Sequence, residues 1–276
     1  MKTYSPGWVG IIGIALVYAV LYVLNLMLPL ASSPTFHYNN YTTRIWSWSE
    51  FALAGAALVV LFMRRQVAVR AIVLAFVLAL LSGASIYLRT HGIVDAGQEG
   101  AVVFLTFLAG ATLFQQTQSP TITAFQSTSA NVIRSVLFGI FAAIPLAAIN
   151  NLFFYLNSET IIFTDGLTSP LLALSPGISE EIIFRYFIIA LCAHWLQSKS
   201  KHGLVFWAMI CLAVVLHSLN HLPDLFLTNP AMAVFLLTAT CLLFGLPMAV
   251  LQVKRNLETA IAFHWFIDFA RFLFGY

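Results

Sequence analysis

The sequence predicts an all-α protein, a polytopic bundle of eight or nine transmembrane helices around a polar cavity inside the membrane. Three observations predict it. Hydrophobic residues make up 61% of the chain and charged residues only 8%, against about 25% charged in a soluble domain. The apolar runs are long enough to cross a bilayer, which takes about 20 residues per helix, and the mean hydropathy is +0.91. The ionisable residues inside those runs gather on three of them. The net charge of +3 therefore marks topology, and no nucleic-acid partner is expected.

The runs are Trp8–Leu30, Phe51–Met63, Ala71–Leu88, Ala101–Phe114, Ser135–Leu156, Ile178–Leu196, Leu204–Leu222, Ala231–Val253 and Leu257–Phe274. The first is too long for the apolar region of a signal peptide, and no clean small-residue cleavage site follows. It reads as a retained helix. The second and fourth are short and extend into polar flanks. "HYNNYTTRIWSWSE", His37 to Glu50, reads as an outer loop whose Tyr and Trp form an interfacial belt. Gln115 to Arg134 reads as a polar cytoplasmic linker, dividing N-terminal helices (1–134) from a C-terminal core (135–276). Ile161–Leu174, broken by Asp165-Gly166 and Pro170, reads as a re-entrant or interfacial piece. Cys192, Cys211 and Cys241 lie inside apolar runs and read as buried free thiols.

Orientation follows from Lys and Arg in short loops. Lys2, then Arg64, Arg65 and Arg70, then Arg134, then Lys199 and Lys201, then Lys254 and Arg255 occupy alternate loops. The others hold Arg44 and Arg89 together with Asp95, Glu99, Glu159, Asp165 and Asp224. A multi-pass protein of the plasma (bacterial inner) membrane is expected, with its N-terminus cytoplasmic and its C-terminus outside.

An ionisable side chain in a span costs roughly 2.5–3.5 kcal/mol on insertion scales and usually has a function. Glu180, Glu181 and Arg185 lie on the sixth run, His217 and His221 on the seventh, His264 and Asp268 on the ninth. Asn150 and Asn151 are the main polar residues of the first five runs. In "SPGISEEIIFRYF", Pro176-Gly177 can start a helix and Ser179 can cap it. Glu181 and Arg185 are four apart and can pair. Glu180 points about 100° away, lacks such a partner, and is the candidate general base. The plain alternative is that both acids complement the helix dipole. In "HSLNHLPD", His217 and His221 have zinc-ligand spacing, but Ser218 stands where an H-E-x-x-H helix has its glutamate. A buried histidine bonded to a neighbour is the plain reading there. In "HWFID", Asp268 can orient His264, and Arg271 on the same face can snorkel to the interface. His37, His91, His194 and His202 lie near span ends and receive no role.

"EEIIFR", "LHSLNHLP" and "HWFID", in this order inside apolar helices, resemble the three motifs of the CAAX-protease and bacteriocin-processing (Abi) family of glutamate-dependent intramembrane proteases. The resemblance covers roughly Ser135 to Phe274. It puts His221 in the place of the second motif's histidine and His217 where a phenylalanine is usual, while Tyr186 replaces a frequent glycine. It implies hydrolysis of a peptide bond in a membrane-associated or exported protein or peptide. Glu180 with His221 would activate water, the Glu181–Arg185 pair would hold the helix start, His264 and Asp268 would stabilise the oxyanion, and no cofactor would be needed. His217→Phe should then retain activity. Two alternatives stand beside it: a zinc protease with His217, His221 and His264 as ligands, and a proton-coupled transporter or non-catalytic scaffold, whose paired halves the sequence does not display. The charge alternation puts Glu180, His221 and Asp268 in the outer half of the bilayer and His264 nearer the middle.

Overall fold

The computed structural model describes residues 6–30, 40–64, 66–117, 121–125, 128–157, 166–196 and 203–275, and every regular element among them is helical. The elements are α1 (Pro6–Met27), α2 (Tyr41–Arg64), α3 (Val69–Thr90), α4 (Ile93–Gln115), α5 (Ser129–Asn157), the short α6 (Thr168–Leu172) and α7 (Leu174–Glu180). A π-helical segment, Glu181–Phe187, joins α7 to α8 (Ile188–Leu196). Then come α9 (Leu204–Leu219), α10 (Pro223–Thr228), α11 (Pro230–Thr240), a second π-helical turn at Cys241–Gly245, α12 (Leu246–Lys254) and α13 (Leu257–Leu273). Among the described residues, six helices are long and apolar enough to span a membrane: α1 to α5 and the continuous run Pro230–Lys254. The 16-residue α9 is a shorter apolar helix.

Several boundaries differ from the sequence reading, each for a local reason. Tyr41 to Glu50 is not loop but the first turns of α2. Its start is capped from α10, where the Asp224 carboxylate accepts from the backbone N–H of Tyr41 and Thr42 and from the Thr42 hydroxyl at 2.7–3.3 Å, satisfying donors that a helix cannot pair internally. Arg44 lies inside α2, buried, and binds the last turn of α1. Its guanidinium donates to the carbonyls of Asn25, Leu28 and Pro29 and to the Asn25 side chain. Asp95 and Glu99 belong to α4. Ser179 is no cap: the helix already starts at Leu174, and its hydroxyl donates to the Ser175 carbonyl four residues back. Of the cysteines, Cys192 is buried, Cys241 half-buried and Cys211 exposed, all with free thiols. His37, His202, Lys2, Arg65, Lys199, Lys201, Glu159, Asp165 and the start of Ile161–Leu174 lie outside the described residues.

The linker after α4 is docked. The Thr123 carbonyl accepts from Leu257 N–H at 3.0 Å, and Glu258 accepts from Phe125 N–H at 3.1 Å, tying Thr121–Phe125 to the start of α13. Helix pairs meet through small residues. A Cβ at Gly83 would lie 2.8 Å from the Ala96 carbonyl, so α3 and α4 approach backbone to backbone, as small-residue faces allow in membranes. Gly139 plays the same part between α5 and α13, where a Cβ would lie 2.5 Å from the Thr259 carbonyl. The outward faces of α1, α3 and α5 expose Val17, Leu80 and Phe141, a surface suited to lipid. The core centres on the π-helical segment, all seven residues of which are buried.

Candidate active site

α7 carries Glu180 and is held at both ends. At its start, Ser175 N–H donates to the Ser85 hydroxyl at 3.0 Å, and the Ser175 hydroxyl donates to Glu99 at 3.1 Å. Trp265 of α13 packs beside Gly177 and donates its indole N–H to the Pro170 carbonyl at 2.8 Å. Beyond Glu180 the helix widens into the π-helical segment. Such widening leaves backbone carbonyls without their usual donors, and Gln252 of α12 supplies one to the Glu181 carbonyl at 3.1 Å.

Four residues apart, Glu181 and Arg185 form a buried ion pair. Glu181 also accepts from His264 Nδ1 at 2.8 Å. Glu180 faces elsewhere: its side chain is 15% exposed while that of Glu181 is 0% exposed, so only Glu180 can meet a substrate. His217 Nε2 lies 2.6 Å from Glu180 Oε2, and Arg185 Nη2 lies 3.0 Å from His217 Nδ1. A guanidinium can only donate. Nδ1 is therefore the acceptor, and Nε2 carries the proton it gives to Glu180. His264 Nε2 stands 3.5 Å from the same Glu180 oxygen and 3.3 Å from Asp268 Oδ2. Asp268 is in turn paired with Arg271 at 3.3 Å, so Arg271 has a partner inside the site as well as an interfacial position.

The structure thus brings Glu180, His217, His264 and Asp268 into one set of polar contacts 2.6–3.5 Å long. It places His221, expected beside Glu180, in the turn after α9. There its ring stands edge-on to His217 at 5.1 Å and to Trp46 at 5.0 Å. Ligand-spaced donor atoms, all within 4.8 Å of one another, come from Glu180, His217 and His221; His264, which the zinc alternative needs, is not in that group.

These side chains line a cavity of about 380 Å³, within the usual range of ligand sites. Glu180, His217, His221, His264 and Asp268 form its polar wall, and α5 and α11 with the following π-helical turn supply Phe153, Phe154, Phe235 and Phe244 opposite. Asn150 lines the α5 side.

Residues 163–270 match the family model for Type II CAAX prenyl endopeptidase Rce1-like proteins. That segment is a CAAX-endopeptidase domain. It contains every residue of the polar wall, and the family is one of intramembrane proteases. No curated protein and no solved structure matches the chain. The protein is accordingly a multi-pass membrane protein with a CAAX-endopeptidase domain at its C-terminal side.

Three residues at the domain's edge were missed in the sequence. Trp46, assigned to an interfacial belt, stands edge-on to His217 at 5.5 Å and to Phe184 at 5.1 Å. Glu99, counted as a loop charge, is buried and accepts from Ser82 and Ser175. Glu50 of α2 lies within electrostatic reach of Glu99 and Glu180. Extending the second and fourth runs by one turn would have put both acids inside spans. Nothing in the sequence aims Trp46 at the candidate site.

Proposed function

We propose that this protein is an intramembrane endopeptidase that hydrolyses a peptide bond of a membrane-associated or exported protein with a glutamate-activated water. One observation carries the reading: a single oxygen of Glu180 faces imidazoles from two other helices, at 2.6 Å from His217 and 3.5 Å from His264. The His217 N–H fixes the carboxylate, leaving its other oxygen to take a proton from water. The resulting hydroxide attacks the scissile carbonyl carbon, and the oxyanion accepts an N–H from His264, which Asp268 orients. The protonated Glu180 then gives its proton to the departing amine nitrogen as the C–N bond breaks. Arg185 sets the His217 tautomer, and Glu181 anchors both Arg185 and His264. His217, rather than His221, takes the place beside the base.

The chemistry of the donor set argues for this over a zinc site on Glu180, His217 and His221. With Arg185 donating to Nδ1, the neutral His217 ring keeps its proton on Nε2, the atom a metal would need bare. Glu180 would also be spent as a ligand. Zinc bound in one-to-one ratio to the purified wild type, with activity restored by zinc after chelation, would establish the metal reading instead.

The proposed topology adds the composite helix Leu174–Leu196, α9 and α13 to the six long spans, making nine crossings, with the N-terminus cytoplasmic and the cavity nearer the outer face. Activity is tested by mass spectrometry of membrane-protein C-termini and secreted peptides from cells carrying wild type or Glu180→Gln. New or lost termini that depend on Glu180 are expected; identical profiles would remove the protease reading.

A further inference from the structure

A second cleft, of about 500 Å³, runs between α1, α2 and α8 and shares no lining residue with the catalytic cavity. Its walls are apolar: Ile14 and Val17 from α1, Ala56 and Val60 from α2, Ile188 and Leu191 from α8. One end is different. There Arg64, the last residue of α2, donates to His194 Nε2 at 2.6 Å. Among the described residues no carboxylate pairs with its guanidinium. Trp195 flanks this end, so close to Gly10 that a Cβ there would lie 2.3 Å from the ring. The same end of the bundle holds Lys254, over the Phe206 ring at 5.3 Å, and Arg255, over Phe138. In sequence Arg65 follows Arg64 directly.

A long apolar trough whose mouth carries one cation, paired with no carboxylate among the described residues, fits a molecule with a hydrocarbon chain and an anionic head. A soluble anion would leave the trough empty of partners, and a neutral lipid would leave Arg64 without a counter-charge. We propose that the cleft binds one anionic phospholipid, its acyl chain between α1 and α2 and its phosphate on Arg64. Basic side chains at a membrane face attract such lipids. The bound chain rests on Phe184, which also lines the cleft and lies 5.6 Å from the His217 ring, so it supports the back wall of the catalytic site without entering it.

Native mass spectrometry of the full chain in detergent, titrated with dioleoyl phosphatidylglycerol or dioleoyl phosphatidylcholine, tests this. One phosphatidylglycerol should be retained per chain in preference to phosphatidylcholine, and inorganic phosphate should not displace it. Arg64→Gln should weaken phosphatidylglycerol retention about five-fold, the scale of one basic side chain at an anionic surface, and Arg64→Lys should restore most of it. A Cβ at Gly13 meets nothing within 4 Å, so Gly13→Leu can fill the trough without moving a helix and should abolish retention of both lipids. Equal retention of the two lipids by the wild type, unchanged retention in Gly13→Leu, displacement by phosphate alone, or binding of a prenylated peptide with no binding of phosphatidylglycerol would each overturn the proposal.

Discussion

Glu181 receives Arg185 and His264 in a site without solvent access, whereas Glu180, one residue earlier, reaches the cavity and meets His217. The 100° step of the helix separates their environments, and the roles proposed for them follow from that difference. Glu180→Gln keeps the shape and the His217 contact but cannot hold a water's proton. It should abolish cleavage while the thermal midpoint in detergent stays near wild type. Glu181→Gln leaves Arg185 as an uncompensated buried charge, a loss of about 3–5 kcal/mol, and should lower that midpoint markedly. Stability effects in the opposite order would exchange the two roles. The histidines divide similarly. His217→Phe, which the family resemblance alone would leave active, removes the N–H that meets Glu180 at 2.6 Å and should instead reduce the cleavage rate at least about 100-fold, the low end of what acid–base groups contribute. His221→Phe should leave a measurable rate in the same assay. The opposite result would return His221 to the place the motif suggests. Spacing alone could not choose, because His217 and His221 share a face at i and i+4 and only the end of α9 at Leu219 separates them.

At the scale of elements, two features join the N-terminal helices to the domain that carries the candidate site. α2 starts on Asp224 and ends on Arg64, so its position is set from α10 at one end and α8 at the other. Arg44 fastens α2 to the C-terminal carbonyls of α1 with several charge-assisted hydrogen bonds, each worth about 1.5–3 kcal/mol. Arg44→Met should therefore destabilise the detergent-solubilised protein by more than about 2 kcal/mol, read by thermal unfolding. A loss under about 0.5 kcal/mol, the range of an ordinary surface substitution, would show that the cap contributes little. Arg44 reads as a loop charge in sequence because it precedes the apolar run by several residues. Helix α2 begins earlier, since Asp224, far along the chain, supplies its missing cap. The π-helical segment was likewise illegible: Glu181–Phe187 has no breaker, and the donor that its widened turn needs comes from Gln252 on another helix.

Across the whole molecule, positive charge collects at the end where α2, α5 and α12 meet loops (Arg64, Arg70, Arg134, Lys254 and Arg255), and this end is the proposed cytoplasmic face. Thr228→Cys, at the exposed end of α10, should react with a membrane-impermeant thiol reagent added to intact cells, and Gln66→Cys, exposed at the opposite end, should react only after lysis. Both substitutions belong in a chain whose own three cysteines are replaced. Asp224 is unsuitable as a reporter because it caps α2. Reversed labelling would invert the topology and move the site to the cytoplasmic half. Much of this architecture was already written in the amino-acid sequence. Long apolar runs must become helices in a bilayer, where every backbone group has to be paired within its own segment, and the rarity of charge inside them singled out Glu180, Glu181, Arg185, His217, His221, His264 and Asp268. What the tertiary structure alone decided is which of these touch. It seated His217 rather than His221 on Glu180, brought Trp46 and Glu99 from distant helices to the edge of the site, and opened a second cleft at Arg64. Such contacts depend on how helices far apart in the chain cross and on caps supplied from elsewhere, and local spacing carries no record of either.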